Sequence, residues 1–374
     1  MDRRLKSWGN NRAGQLGDGT WADVRTAATA VLGLTGREVL RIAAGGAGAA
    51  TGHGLALLTD RTVVAWGSNG SGQLGDGSLH GHNAPAPVLR LSDVTAIAAG
   101  GTHSLALLAD RTVVAWGQNA HGQLGNGDTA DSGVPVRVGG GLYPVVAIAA
   151  GLNHSLALCE DGRVWAWGHN GNGQLGDGSS SARNVPAPVG GLTGVTLIAA
   201  GANHSLALVG APATATRTNG GSVVKAWGHN AAGQLGDHTT INRFTPVEVR
   251  DGWADGVARL AAGGNHSIAV GGGEFRLKAW GQNASGQIGD GTTAFRVTPV
   301  EVPGLSGVVS VAGGREHTVV LLDDRTVRSW GGNRSGQLGD GTTSDRSVPV
   351  AALTVPTGAD RIAAPIGGDF SLAH

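Results

Sequence analysis

The chain is poor in the residues that most often carry chemistry or cross-links. In 374 residues it has one cysteine, one methionine, one tyrosine and three lysines, and aromatics make up 4%. A single cysteine excludes an internal disulfide, and Cys159, at the end of the apolar stretch Ser155-Leu-Ala-Leu-Cys159, reads as a buried and inert thiol. No Cys/His spacing of a structural zinc site occurs, so neither a metal nor another cofactor is expected. Apolar runs stay far below the roughly 18 residues that a membrane helix needs. The 27 basic and 27 acidic residues cancel, and no Lys or Arg tail occurs, so neither nucleic acid nor an anionic membrane is expected as a partner. The opening Met1-Asp2-Arg3-Arg4-Leu5-Lys6-Ser7-Trp8 has no apolar leader, which makes the cytoplasm the default compartment. Neither a Walker-type phosphate loop nor a nucleophile elbow in a strand-helix context is present. The scarcity of Lys beside Arg suggests a GC-rich, bacterial coding sequence.

Glycine, in contrast, fills 67 positions while hydrophobics still reach 40%, a balance suited to many short strands joined by tight turns. Trp-Gly recurs at Trp8, Trp66, Trp116, Trp167, Trp227, Trp280 and Trp330, each followed by an Asn and then by Gly-Gln-Leu/Ile-Gly. The spacing of 50 to 60 residues marks a propeller or solenoid. A second phrase precedes most of these, as in Ile97-Ala-Ala-Gly-Gly-Thr-His103-Ser-Leu-Ala-Leu107, followed by an Asp-Arg turn and then Thr112-Val-Val-Ala-Trp116. Three apolar runs separated by turns read as three antiparallel strands, and a weaker Pro-x-x-Val run, such as Thr298-Pro299-Val300-Glu301, reads as a fourth at the sheet edge. Seven such units predict an all-β, seven-bladed β-propeller over residues 1–374 as one domain. The closing blade is expected to be shared between about 1–10, supplying only the last strand, and 361–374, supplying the first two.

The phrases Trp-Gly-x-Asn-x-x-Gly-Gln-Leu-Gly-Asp-Gly and Ala-Ala-Gly-x-x-His-Ser-Leu-Ala-Leu resemble the regulator of chromosome condensation repeat, and the resemblance covers essentially the whole chain. It implies the seven-bladed ring. Members of that family include exchange factors for a small GTPase and ligase-associated or scaffold domains, and similar bacterial propellers cap β-lactamases, so the resemblance leaves function to the site residues.

The histidines His53, His103, His154, His204, His266 and His317 occur once per blade, which spreads them round the ring and argues for packing under a turn with hydrogen bonds to backbone. The Asp residues of Gly-Asp-Gly are expected to accept turn amides, and the seven tryptophans to pack between blades. Positions that vary within the rigid phrase are better candidates. Gln118, His169, His229 and Gln282 follow Trp-Gly, and His121 lies at a loop tip, so all should ring one mouth of the channel. His121, His169 and His229 come from three consecutive blades and are the candidates for an acid-base cluster. Arg12, Arg334, Arg315 and Glu316 adjoin the closure and form a charged patch on the same face, suited to a carboxylate or phosphate. Trp21, Trp253 and Tyr143 fall outside the repeat and are candidate interface anchors. Two lengthened turns, Gly45 to His53 and a hairpin from Gly210 to Gly221, break the symmetry.

The leading expectation is a non-catalytic, monomeric propeller that binds a protein through variable loops on one face, with room for a small molecule at the channel mouth. The alternative is a biosynthetic enzyme of cyclase or isomerase type with a histidine-lined mouth, and the third is a GTPase exchange factor. A deep mouth with histidines close to one another or to a carboxylate would favour the enzyme.

Overall fold

A computed structural model describes residues 5–48, 51–142, 144–210, 221–250, 256–271, 276–355 and 359–374. Among these, 28 strands form seven four-stranded antiparallel sheets, the blades of a closed propeller. Blade 1 is typical, with Val39–Gly45 innermost, then His53–Leu58, Val63–Gly67 and the outer strand His82–Pro87. Blades 2 to 6 follow in chain order. The innermost strands touch one another round the ring, and the proline-bearing strands lie on the perimeter, where a missing donor is harmless. No helix among the described residues is long and apolar enough to cross a membrane.

Blade 7 closes the ring. Ile362–Ala363 and Phe370–Ala373 supply its inner strands, and Lys6–Asn10 pairs with Phe370–Ala373 through Lys6↔Ala373, Ser7↔Leu372, Trp8↔Ser371 and Gly9↔Phe370. The N-terminal segment gives two strands and not the single one expected, because Val24–Ala30 also pairs with Lys6–Asn10 as the perimeter strand. That run lacks the proline carried by the other outer strands, which hid it in the sequence.

The apolar core is divided among seven clusters, one between each pair of neighbouring blades. Each repeat tryptophan is fully buried in one of them. Burying on the order of 200 Å² of ring at about 25 cal/mol per Å² contributes roughly 5 kcal/mol per tryptophan before entropy is charged. The indole is also aimed. Trp116 Nε1 donates to the Gln73 carbonyl of the preceding blade at 2.8 Å, and the other six repeat this, from Trp8 on Gln337 to Trp330 on Gln287.

The same carbonyl accepts a second donor. Ser104 Oγ donates to Gln73 O at 2.9 Å, and His53 Nε2 of blade 1 reaches Ser104 Oγ at 3.1 Å. Because the serine proton is committed to the carbonyl, the imidazole must donate, which fixes the Nε2–H tautomer. His103, His154, His204, His266 and His317 make the same contact to Ser155, Ser205, Ser267, Thr318 and Ser371. The partner is thus a hydroxyl of the next blade, not the local backbone that the repeat spacing suggested. At the seam between blades 7 and 1 the pair is replaced as a unit, with Phe370 in the histidine position and Gly54 in the serine position. A Cβ at Gly54 would run into the Trp66 ring, so the seam is filled by aromatic surface.

Burial holds these imidazoles far below their usual range, at about 4 in His53 and His266 and about 3 in His103, His154, His204 and His317, with charge on neighbouring histidines adding to the effect in the last four. The unfolded chain protonates near pH 6.5 and the folded one does not, so the stability they contribute is present above pH 6.5 and is lost as pH falls toward 3 to 4. Each site gives a slope of about 1.4 kcal/mol per pH unit, so six give about 8. Urea midpoints should therefore fall steeply between pH 6.5 and pH 5, above the carboxylate range, with an uptake of several protons on unfolding. Stability that is flat over that interval would contradict this assignment.

Candidate functional site

The second strand of each blade begins, and the third ends, on the same face, since His154 pairs with Gly168. This loop face carries both the Gly-x-x-His turns and the loops after Trp-Gly. The blade 3 loop shows how it is made rigid. Gly168 and Gly173 take φ of +101° and +82°, and a Cβ on Gly173 would lie 2.8 Å from Phe244 Cα in the next blade. Asn170 accepts from Leu175 N at 2.9 Å and donates to Asp177 Oδ1 at 3.1 Å. Asp177 also accepts from Ser179 N and from Arg183 Nε at 2.7 Å. Burial alone would raise this carboxyl, but the Arg183, Ser179 and Asn170 donors outweigh it and hold it at about 2. The repeat carboxylates therefore bind turn amides as expected; Asp18, Asp177, Asp237, Asp290 and Asp340 bind an arginine besides, and Asp76 binds His82.

One further clamp orients the variable residue after Trp-Gly. Gln174 Oε1 accepts Asn172 N at 2.9 Å, which fixes the amide, so Nε2 donates to His169 Nδ1 at 2.7 Å. His169 is thereby held neutral with Nε2–H directed away from the clamp. Gln234 treats His229 identically, through Ala232 N at 3.0 Å and His229 Nδ1 at 2.7 Å. In blade 2, Gln118 Oε1 accepts Thr102 Oγ1 at 2.6 Å and lies 3.4 Å from Gln123 Nε2. In blade 5, Gln282 Oε1 accepts from Asn265 Nδ2 at 3.0 Å, and Asn265 Oδ1 in turn faces Gln234 Nε2 at 3.4 Å.

Of the three candidate histidines, two come together. The rings of His121 and His169 meet edge to face with centroids 4.7 Å apart. His229 makes no ring contact with either among the described residues. Burial and then the His121 charge hold His169 below its usual pKa, while burial lowers His229 against an opposing Asn265 hydrogen bond. The partners of both are amides, and no group of three His, Cys, Asp or Glu among the described residues could hold a metal ion. What His169 offers is a fixed donor, whereas His229 is also engaged by Asn265.

The charged half lies across blades 5 to 7. Arg315 sits between Glu316 at 3.8 Å and Asp369 at 3.7 Å, and Ser285 Oγ donates to Glu316 at 3.2 Å. Burial raises the Asp369 carboxyl, opposed by Arg315 and reinforced by Glu316. Arg12 pairs with Asp23 at 3.3 Å, and Arg334 is exposed with no ion pair among the described residues. Trp21 is 53% exposed and lies over Gly14 and Gly81 at the seam of blades 7 and 1. Trp253, Tyr143 and the 211–220 hairpin lie outside the described residues.

Between these halves the blade 7 turn reaches across the ring. The blade 7 turn carries Ile366, only 7% exposed, and a Cβ on Gly367 would stand 2.8 Å from Leu152 Cδ1 in blade 3, across the ring. Backbone bonds link the surrounding turns, including Gly46 N to Gly100 O, Gly101 N to Leu152 O, Leu152 N to Ala202 O and Gly264 N to Gly314 O. Sequence reasoning missed this crossing because Pro365-Ile-Gly-Gly replaces the short Gly-x-x-His turn of the other blades.

The family model of the RCC1-like domain matches residues 4–373. The chain belongs to the RCC1-like domain family. Among its relatives, the mitochondrial RCC1 domain-containing protein RUG3 of Arabidopsis thaliana is 32% identical over 341 residues, covering 86% of this chain and 73% of that protein. The ultraviolet-B receptor UVR8 of the same plant is 31% identical over 182 residues, covering 48% of this chain, and that match spans only 40% of the receptor's length. In three dimensions the RCC1-like chain is similar to Prp20p of Saccharomyces cerevisiae, whose crystal structure was described with its binding properties to Gsp1p and histones. The TM-score is 0.84 at 25% identity, covering 99% of this chain and 90% of that one. These relatives are eukaryotic, so the bacterial character suggested by the Arg-over-Lys skew finds no support.

Removing the charge beside His169 should change its titration. In His121→Ala the His169 imidazole is expected to titrate at a higher pH than in the parent protein, as followed by the ring proton shifts in NMR. An unmoved midpoint would mean that the rings are not coupled.

Proposed function

We propose that this RCC1-like propeller is a non-catalytic module that binds a protein partner through its loop face. The observation that carries the reading is the loop clamp. In blades 1 to 4 and 7 the side chain after Trp-Gly is held by the amide of the loop glutamine, whose oxygen is itself fixed to the loop backbone, so little ordering entropy remains to be lost there on association. The face also joins an exposed indole, Trp21, to exposed or half-exposed arginines, Arg12, Arg315 and Arg334, a composition typical of interface anchors. The binding of Gsp1p and histones described for Prp20p makes a protein partner the natural class for this chain as well.

The enzyme reading draws less support. A general acid or base needs a partner that tunes its pKa and room for a substrate to reach it. Here His169 and His229 are clamped by amides, their pKa values are lowered by burial, and the turn bearing Ile366 reaches across the ring to Leu152.

The test uses a photo-crosslinking amino acid placed singly at positions 12, 121 and 334 on the loop face, and at position 137 on the perimeter of blade 2. Crosslinking to one discrete protein from the loop-face positions alone, lost in Trp21→Ala/Arg334→Ala with an unchanged Tm, is the expected result. Equal labelling from position 137, or none from the face, would refute the assignment.

A further inference from the structure

The face opposite the variable loops carries the turns between second and third strands. There, between blades 7, 1 and 2, a cleft of about 240 Å³ is walled by Leu40, Leu57 and Val94 and by the guanidinium-bearing Arg41, Arg61 and Arg361. Arg41 and Arg361 occupy the same register position on adjacent innermost strands, in Arg41-Ile-Ala-Ala and Arg361-Ile-Ala-Ala, which turns both side chains toward one space. No ion-pair partner of any of the three exists among the described residues.

Comparison between repeats shows what is missing. Arg61, Arg111 and Arg325 occupy equivalent Asp-Arg-Thr turns, with φ of 64°, 66° and 68°. Arg111 is paired with Glu160 of the following blade, and Arg325 with Asp360 of the following blade. The blade 2 residue equivalent to Glu160 is Ala109. Each donates its N–H to the carbonyl of the residue just before the innermost strand, Glu160 to Pro144 and Ala109 to Asp93. Arg61 therefore faces a methyl group where Arg111 faces a carboxylate. Of the acids near the cleft, Asp60 is engaged by Thr62 and Arg37 and Asp360 by Arg325, while Asp93 lines the neighbouring cleft with Arg90. Burial, and then the charge of Arg41, lowers the pKa of Arg361.

We propose that this cleft is an anion site for a compact oxyanion bearing at least two negative charges, ligated by Arg41, Arg61 and Arg361. Guanidinium forks suit phosphate and carboxylate alike by paired N–H donors, and the apolar wall of Leu40, Leu57 and Val94 accommodates the carrier. The site lies on the opposite face from the proposed protein-binding loops and does not depend on them.

Calorimetric titration of the intact chain with inorganic pyrophosphate, and separately with citrate, tests it. One site per chain is expected, with affinity weakened at least tenfold in Arg61→Gln and in Arg361→Gln and unchanged in Arg137→Gln on the perimeter. Ala109→Glu, which supplies the missing internal carboxylate, should weaken binding to the same degree while leaving every arginine in place. The free Arg361→Gln protein should melt no lower than the parent, since it loses a repulsion and no partner. Preference for pyrophosphate identifies a phosphate-bearing ligand and preference for citrate a polycarboxylate. Absence of binding by both probes, or binding that Arg137→Gln weakens as much as Arg61→Gln, or that Ala109→Glu leaves untouched, overturns the proposal.

Discussion

Seven backbone carbonyls hold this ring together. The carbonyl of the loop glutamine in each blade accepts the indole N–H of the next blade's tryptophan, and in six of seven interfaces it also accepts a hydroxyl that is itself bonded by the preceding blade's histidine. Antiparallel ladders satisfy the backbone within a blade, but nothing in a ladder fixes one blade against another. Apolar clusters between blades supply attraction without direction, and the carbonyl supplies direction, because two donors from one blade must converge on one oxygen of its neighbour. The cost is a buried imidazole whose Nδ1 has no hydrogen-bond partner among the described residues, in each of six blades.

The loop face follows from the same residue. The glutamine whose carbonyl fixes the next blade uses its side-chain oxygen to hold its own loop, and in blades 3 and 4 its amide nitrogen orients the variable histidine. In those blades interface geometry and the presentation of the variable side chain are thus coupled through a single residue. This is the physical basis on which a face of differing residues behaves as one rigid surface.

The ring, the blade count and the closure by chain ends were legible because tryptophan, glycine and asparagine recur at a fixed interval and each recurrence demands the same local geometry. Val24–Ala30 was not, since it forms its perimeter strand without proline. The histidine relay was missed because its partner lies one repeat plus one residue away, as in His53 and Ser104, a separation no local pattern reveals. A trace of it was nevertheless present, for blade 7 lacks the histidine and blade 1 lacks the serine that would receive it. On the loop face, the meeting of His121 with His169 followed from their places in consecutive blades. The placement of Ile366 and of the half-buried Asp369 depends on how one atypical turn crosses the ring. On the opposite face, the shared position of Arg41 and Arg361 shows only once the innermost strands are in register.

The most direct test transplants the seam into an ordinary interface. His154→Phe and Ser205→Gly, made singly and together, reproduce between blades 3 and 4 the Phe370 and Gly54 pairing of the closure. If the two residues act as one unit, each single change destabilises by about 2–4 kcal/mol and the double variant loses at least about 1 kcal/mol less than the sum, measured by urea unfolding. Strict additivity would show that histidine and serine stabilise the ring independently and would contradict the account.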